Sequence, residues 1–300
     1  MEIDTHTFHV PVLVDEIVTG LRIKNDCWYV DATAGGGGHT ETILEKGGNV
    51  LAVDQDEEAV GVLMKRFAKK LNQGKVIIRR GNFRNIQEIV QRTMREPIYG
   101  VLFDLGMSTY QIKKSGRGFS FLKTEQLDMR MSKKTELTAA EIVNTYSKAE
   151  LYEIFRKLGE EILADELSYA IIRARARKPI ENTGELAQIA KTVYAKAGRK
   201  EKIHPATRMF QALRIGVNDE LGSLREGLQQ AFELMTDEGR LAVISFHSLE
   251  DRIVKQFFQK AGSERWGEII TKSPVRATEK ELIANPASRS ARLRLLEKIL

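Results

Sequence analysis

The chain has 300 residues, 42% of them apolar and 29% charged, with a formal net charge of +6 and a single cysteine, Cys27. That length holds one large domain or two modest ones, and the apolar share supplies an ordinary core. No apolar run approaches a membrane span, one thiol excludes internal disulfides and thiolate metal clusters, and Met1–His6 lacks the layout of a secretion signal, so a reducing cytoplasm is expected.

In chain order, Trp28–Asp31 reads as a first strand, followed by Ala32-Thr33-Ala34 and the glycines Gly35, Gly36, Gly37 and Gly38. Ile43 and Leu44 sit where a helix buries them, and Val50–Asp54 reads as a second strand ending in an acid. A helix is predicted over Glu57–Leu71, with Val60, Leu63, Met64 and Phe67 on its inner face, and further strands over Lys75–Arg79 and Val101–Asp104. Strands alternating with helices predict a parallel sheet with crossover helices. From about Ala139 to Lys202 no strand stands out. Helical spacing recurs instead, in Leu151, Ile154, Phe155 and Leu158, then Leu163, Leu167, Ala170 and Ile171, then Leu186, Ile189, Ala190 and Val193 behind a start at Thr183. The α/β pattern resumes with one long helix over Ala206–Met235, a turn at Asp237-Glu238-Gly239, and a buried strand over Leu241–Phe246. Ser248-Leu249-Glu250-Asp251 then reads as a capping box opening another helix. One α/β sheet interrupted by a helical insert is therefore expected.

Four consecutive glycines leave no Cβ between main chain and ligand, and the following helix offers free N–H groups. Asp54, at the carboxyl end of the second strand, suits a ribose diol. Together they point to an adenosine cofactor. The dinucleotide fingerprint needs a third glycine, and that position falls on Thr40 or Glu41, so a pyrophosphate is disfavoured. S-adenosylmethionine carries no pyrophosphate, has a sulfonium cation and tolerates nearby acids. Asp104 closes its strand where a carboxylate can bond the methionine amino group and support the sulfonium. Phe83, after the third strand, stands where an adenine stacks or where a core ring packs. His247, Glu250 and Asp251 are read as cap and surface charge, and His204 as a turn residue, so no metal is expected. Between Lys113 and Ala206 there are 19 basic and 13 acidic side chains, the entire excess of the chain. That balance, with Arg173, Arg175, Arg177 and Lys178 in one run and Arg199, Lys200 and Lys202 in another, is consistent with a nucleic-acid partner or with a solvated helix face.

Longer strings carry a resemblance. His9-Val10-Pro11-Val12-Leu13, the glycine loop with His39, Asp104-Leu105-Gly106-Met107-Ser108, Arg117-Gly118-Phe119-Ser120-Phe121 and Leu127-Asp128-Met129-Arg130-Met131 occur together. So do His204-Pro205-Ala206-Thr207-Arg208, Val217-Asn218-Asp219-Glu220-Leu221, Ser245-Phe246-His247-Ser248-Leu249-Glu250-Asp251-Arg252 and Asn285-Pro286. The chain resembles, over nearly its whole length, the RsmH/MraW family of bacterial 16S ribosomal RNA cytosine-N4 methyltransferases. The resemblance implies a class I S-adenosylmethionine-dependent, Rossmann-like α/β fold with a mostly parallel sheet and an inserted all-helical domain. It places the methyltransferase domain at 1–112 and 207–300 and a helical RNA-substrate domain at 113–206. It implies a cytoplasmic enzyme acting on a decoding-region cytosine of the small ribosomal subunit or its 16S RNA, with no membrane or DNA partner. Carried over by position, the cofactor residues are Gly37, Gly38, His39, Asp54, Phe83, Asp104 and Gln111, and of these His39 and Gln111 rest on the resemblance alone. Met107 and Thr109 replace a usual valine and serine, and Thr124-Glu125-Gln126 stands where Asp-Gly-Pro is common. No catalytic residue is assigned. Asp104 and Asp128 are candidate proton acceptors, and backbone carbonyls are an alternative.

Overall fold

A computed structural model describes residues 11–199 and 202–299. His9 and Val10 of the first motif, Met1–His6, and Lys200 of the second basic cluster lie outside the described residues. The chain divides into two compact units, one running up to Ser108 and resuming at Leu221, the other Thr109–Glu220.

The first unit opens with α1 (Val14–Leu21), β1 (Trp28–Asp31), α2 (Gly38–Glu45), β2 (Asn49–Asp54), α3 (Glu57–Arg66), α4 (Ala68–Asn72), β3 (Val76–Arg80), α5 (Ile86–Thr93) and β4 (Ile98–Asp104). The second unit is helical, with α6 (Thr109–Lys113), α7 (Ala139–Thr145), α8 (Lys148–Gly159), α9 (Ala164–Arg175), α10 (Thr183–Lys196) and α11 (Thr207–Asn218). The chain then returns through α12 (Glu220–Leu234) to β5 (Met235–Ser245), α13 (Ser248–Ser263), β6 (Gly267–Ile269), α14 (Glu279–Ala284) and β7 (Arg292–Lys298). The expected insert of 113–206 falls inside the second unit, which also takes in α6 and α11. No helix among the described residues is long and apolar enough to cross a membrane.

The sheet order is β3-β2-β1-β4-β5-β7-β6. β1 to β5 are parallel, and β7 runs antiparallel between β5 and β6. Central parallel strands are covered on both faces and read as unbroken apolar runs. Accordingly Val50, Leu51, Ala52 and Val53 of β2, and Val101, Leu102 and Phe103 of β4, are fully buried. The strand order reverses at β1, whose neighbours are β2 and β4, and open sheets of this kind bind ligands in the crevice at that reversal.

Several boundaries differ from expectation for local reasons. The helix from Glu57 breaks at Phe67 (φ −103°, ψ 18°), and α4 follows. Its buried stripe is Ala59, Val62 and Leu63, while Met64 is 49% exposed. The break turns the Phe67 ring under the glycine loop. The long helix expected over Ala206–Met235 is two, because Asp219 takes φ +45° between α11 and α12. The turn at Asp237-Glu238-Gly239 lies within β5 as a bulge: pairing jumps from Ile98↔Met235 to Gly100↔Arg240, with Glu238 at φ +58°. The cap of α13 is His247, one residue earlier than expected. It accepts from the Glu250 N–H at 3.4 Å, and Glu250 accepts from the His247 N–H at 3.3 Å.

Candidate functional site

After Asp31 the chain turns through Ala32–Gly37 into α2. Ala32 N–H donates to the Leu102 carbonyl at 2.9 Å, and Ala34 N–H to the Val53 carbonyl at 3.0 Å. The turn is thus tied to the strands on either side. Gly35 N–H donates to Asp54 Oδ2 at 2.8 Å. From α3, Arg66 donates to the Gly36 carbonyl at 2.6 Å and pairs with Glu41. Gly37 precedes α2 at φ +85°, and a Cβ there would stand 2.6 Å from Phe67 Cε2 and 2.9 Å from Leu63 Cδ2. A Cβ on Gly38 would meet Pro11 at 2.9 Å. The loop is bare main chain pressed onto the protein beneath it.

Asp54 and Asp104 close the strands on either side of β1, two strand spacings apart, or about 10 Å. Asp54 accepts from Gly35 N–H through one oxygen and from Asp56 N–H through the other, each at 2.8 Å. Burial pushes its carboxyl up to about 6, against the pull of those two bonds. Asp104 is anchored through its own N–H, which donates to Thr33 Oγ1 at 2.6 Å. His39, in the first turn of α2, is 5% exposed and places Nε2 3.4 Å from Asp104 Oδ2. Phe83 begins a short 3-10 turn after β3, with its ring edge-on to Phe103 at 5.4 Å and close to Gly227 of α12, and remains partly exposed. Gly37, Gly38, His39, Asp54, Phe83 and Asp104 therefore all lie at or beyond the carboxyl ends of adjacent strands in the first unit. Gln111 lies on α6 in the second unit, 8% exposed.

In the second unit, Asp128 accepts from Arg130 Nε at 2.8 Å and Nη2 at 2.9 Å. Burial raises its carboxyl, but bonds from the Arg130 side chain and N–H, with the Arg117 charge, bring it below the usual range. So held, it is a poor proton acceptor. Thr124-Glu125-Gln126 is a strap onto the start of α10. Glu125 N–H donates to Thr183 Oγ1 at 3.0 Å, and Thr183 N–H returns a bond to the Glu125 carbonyl at 2.9 Å. His204 stacks on Phe121 at 4.4 Å. The basic run splits by role: Arg175 donates to the Val143 carbonyl at 2.8 Å, Lys178 pairs with Glu181 and Glu185, and Arg173 lies over the exposed Tyr169 ring.

Three contributors escaped sequence reasoning. Thr33 and Arg66 are single residues without a motif. Asp31 is buried beneath the loop, accepting from Thr40 Oγ1 at 2.7 Å; its place at a strand end before the glycines was the available signal.

A parallel sheet in this order, with an antiparallel β7 and a glycine loop at the reversal, defines the class I Rossmann-like methyltransferase fold. The chain belongs to the MraW methylase family, whose model matches residues 6–299. It is 44% identical to the ribosomal RNA small subunit methyltransferase H of Carboxydothermus hydrogenoformans, over 97% of this chain and 98% of the relative. It is 42% identical to the protein of that description from Acetivibrio thermocellus, over 97% and 99%. Among solved structures, a putative rRNA methylase from Clostridium thermocellum aligns with a TM-score of 0.45 at 13% identity, over 95% of this chain and 93% of that one.

The cofactor is S-adenosylmethionine, and the first unit fits it. Among the described residues Asp104 Oδ1 is buried without a hydrogen-bond partner, His39 meets the other Asp104 oxygen at 3.4 Å, and the loop is a cradle that side chains would fill. A bound cation with donor groups satisfies that carboxylate oxygen, whereas the acids would repel a pyrophosphate.

Proposed function

We propose that this chain transfers a methyl group from S-adenosylmethionine to N4 of a cytosine in the decoding region of 16S ribosomal RNA, in the cytoplasm. The observation that carries the substrate half is the 44% identity, across 97% of the chain, to a ribosomal RNA small subunit methyltransferase. The cofactor half is supported by the acids and bare loop at the sheet reversal.

When bound, the cofactor supplies an electrophilic methyl on a sulfonium. The chain's own residues bind and orient. Asp54 accepts the ribose hydroxyls, Phe83 offers a partly exposed ring to the adenine, and Asp104 faces the cationic methionine end. Gly37 and Gly38 allow close approach, and Gln111 joins the set by the family resemblance. Alignment of donor and acceptor is what such residues contribute to the rate, with the electrostatic setting beside it. The cytosine amine shares its lone pair with the ring, so a neighbouring acceptor aids its attack. With Asp128 neutralised by Arg130, Asp104 and backbone carbonyls are left as candidate acceptors.

Incubation with tritiated cofactor and small-subunit particles from cells lacking the gene should label 16S RNA, and nucleoside analysis should show N4-methylcytosine. Label on another base or on DNA sinks the acceptor assignment, and binding without transfer favours a non-enzymatic RNA module. In a thermal-shift assay S-adenosylmethionine should raise the melting temperature and NAD should not; the reverse would restore an oxidoreductase.

For the helical unit we infer the role of RNA-substrate domain, supported by its charge. Arg173 and Arg177 are exposed, whereas Arg175 is committed to a carbonyl. Replacing Arg173 and Arg177 by glutamine should weaken RNA binding and reduce the slope of log affinity against log salt by about 1–2. An unchanged slope makes this face merely solvated.

A further inference from the structure

Three acids come together at the reversal of the sheet. Asp31 ends β1, Asp104 ends β4, and Glu281 of α14 adds its charge to the same neighbourhood while accepting from Leu13 N–H at 2.8 Å. Against them, among the described residues, stands the base His39, 5% exposed on the first turn of α2. Its Nε2 is 3.4 Å from Asp104 Oδ2, an ion-pair distance but longer than a well-formed N–H···O bond. Asp31 is occupied differently, by Thr40 Oγ1 at 2.7 Å and Thr33 N–H at 3.3 Å. The side chain loosely paired with Asp104 is therefore a titratable one.

We propose that His39 is a displaceable counter-ion: as an imidazolium it neutralises Asp104 in the free enzyme, and it sheds its proton to solvent when the sulfonium cofactor binds, so that it sets the preference for that cofactor over the demethylated thioether product. The proposal rests on the reading that Asp104 faces the methionine end.

The physics is competition for one carboxylate in a desolvated site. Burial alone drives the imidazole towards neutrality, but Asp104, Asp31 and Glu281 outweigh it and hold the group above its ordinary value. Substrate and product share adenosine, ribose, ammonium and carboxylate. They differ by the methyl group and the positive charge it places on sulfur. The ammonium is common to both, so the sulfonium adds one further positive charge beside the acid, and where water is excluded that added charge would favour loss of the His39 proton to solvent. The thioether, which lacks that added charge, would leave more of the imidazolium in place. Proton release makes binding strengthen as pH rises, and it does so more for the sulfonium. Asp54 also titrates near the working range, at about 6. It faces the ribose, common to both ligands, and cancels from their ratio.

The test is calorimetry of the full chain with S-adenosylmethionine and with S-adenosylhomocysteine, in pairs of buffers of different ionisation enthalpy. The wild type should release more protons with the sulfonium compound. The ratio of the two affinities should shift towards the sulfonium roughly fivefold between pH 6 and pH 8, within the limit of about tenfold per pH unit for one proton. His39→Gln should release equal numbers with both, with a flat ratio. Equal proton release in the wild type, or a difference that survives in His39→Gln, overturns the proposal and leaves the cofactor site standing. Failure of S-adenosylmethionine to bind overturns both. Should His39→Gln not fold, imidazole nitrogen spectra of the wild type decide the matter: His39 protonated when free and neutral with the sulfonium bound supports the proposal, and an unchanged ring rejects it.

Discussion

Replacing Asp54 by alanine should weaken S-adenosylmethionine binding by about 1–3 kcal/mol, the expected cost if ribose hydroxyls lose a charged acceptor there. In affinity that is roughly five- to 150-fold. The carboxylate also organises the apo site, since its two oxygens take the N–H groups of Gly35 and Asp56. Asp56 in turn caps α3 by accepting from Glu58 N–H at 3.1 Å. Stability need not fall in step. An acid whose folded-state pKa is raised, here from 3.8 to about 6, stabilises the fold below the lower value, and that contribution is lost as pH rises to the upper one. At pH 8 the ionised group is a burden on the free protein. Asp54→Ala should therefore melt within a few degrees of wild type there while binding the cofactor far less well. By the same sign, wild-type affinity should decline below pH about 6, as protonation removes acceptors the ribose uses. Unchanged affinity by calorimetry removes Asp54 from the site.

The legible parts of this chain are those where burial and spacing act alone. β1, β2 and β4 are apolar runs ending in acids because central parallel strands are covered on both faces, and the acids mark the crevice where the ladder stops. β7 escaped sequence reasoning because Arg292, Arg294, Glu297 and Lys298 interrupt its apolar residues. Arg294 is only 7% exposed, held by Asp251 at 2.7 Å from across the fold, and Arg240 of β5 pairs with Glu297 at 2.7 Å. Such pairs hide a strand because the partner that makes burial tolerable lies far away in sequence. The breaks at Phe67 and Asp219 are similarly tertiary: neither position carries glycine or proline to announce it. In the site, the glycines, Asp54 and Asp104 follow from spacing. His39 does not, since a lone histidine gains meaning only from the carboxylates that the sheet brings to it.

The glycine loop offers the second large effect, with internal controls on neighbouring elements. Gly37→Ala places a methyl 2.6 Å from the Phe67 ring and forces an L-residue to φ +85°. Left-handed backbone costs about 1–2 kcal/mol for a non-glycine residue. Phe67, 4% exposed, and Leu63, 0% exposed, have nowhere to retreat, and overpacking adds roughly 1–3 kcal/mol. The melting temperature should fall by on the order of 5–15 °C, and cofactor affinity should fall with it as the loop shifts. Gly35 is the milder case. Its φ is +50°, but among the described residues the nearest atom to an added Cβ is the Thr33 carbonyl oxygen at 3.8 Å, so Gly35→Ala should carry the backbone term alone. Gly61, in α3, has no described atom within 4 Å of an added Cβ. There alanine should stabilise by about 1 kcal/mol through helix propensity. Thermal melts of the three variants should therefore rank Gly61→Ala above wild type, Gly35→Ala below it and Gly37→Ala lowest. If Gly37→Ala melts no lower than Gly35→Ala, close packing beneath the loop is not what its glycines serve, and the backbone conformation alone selects them.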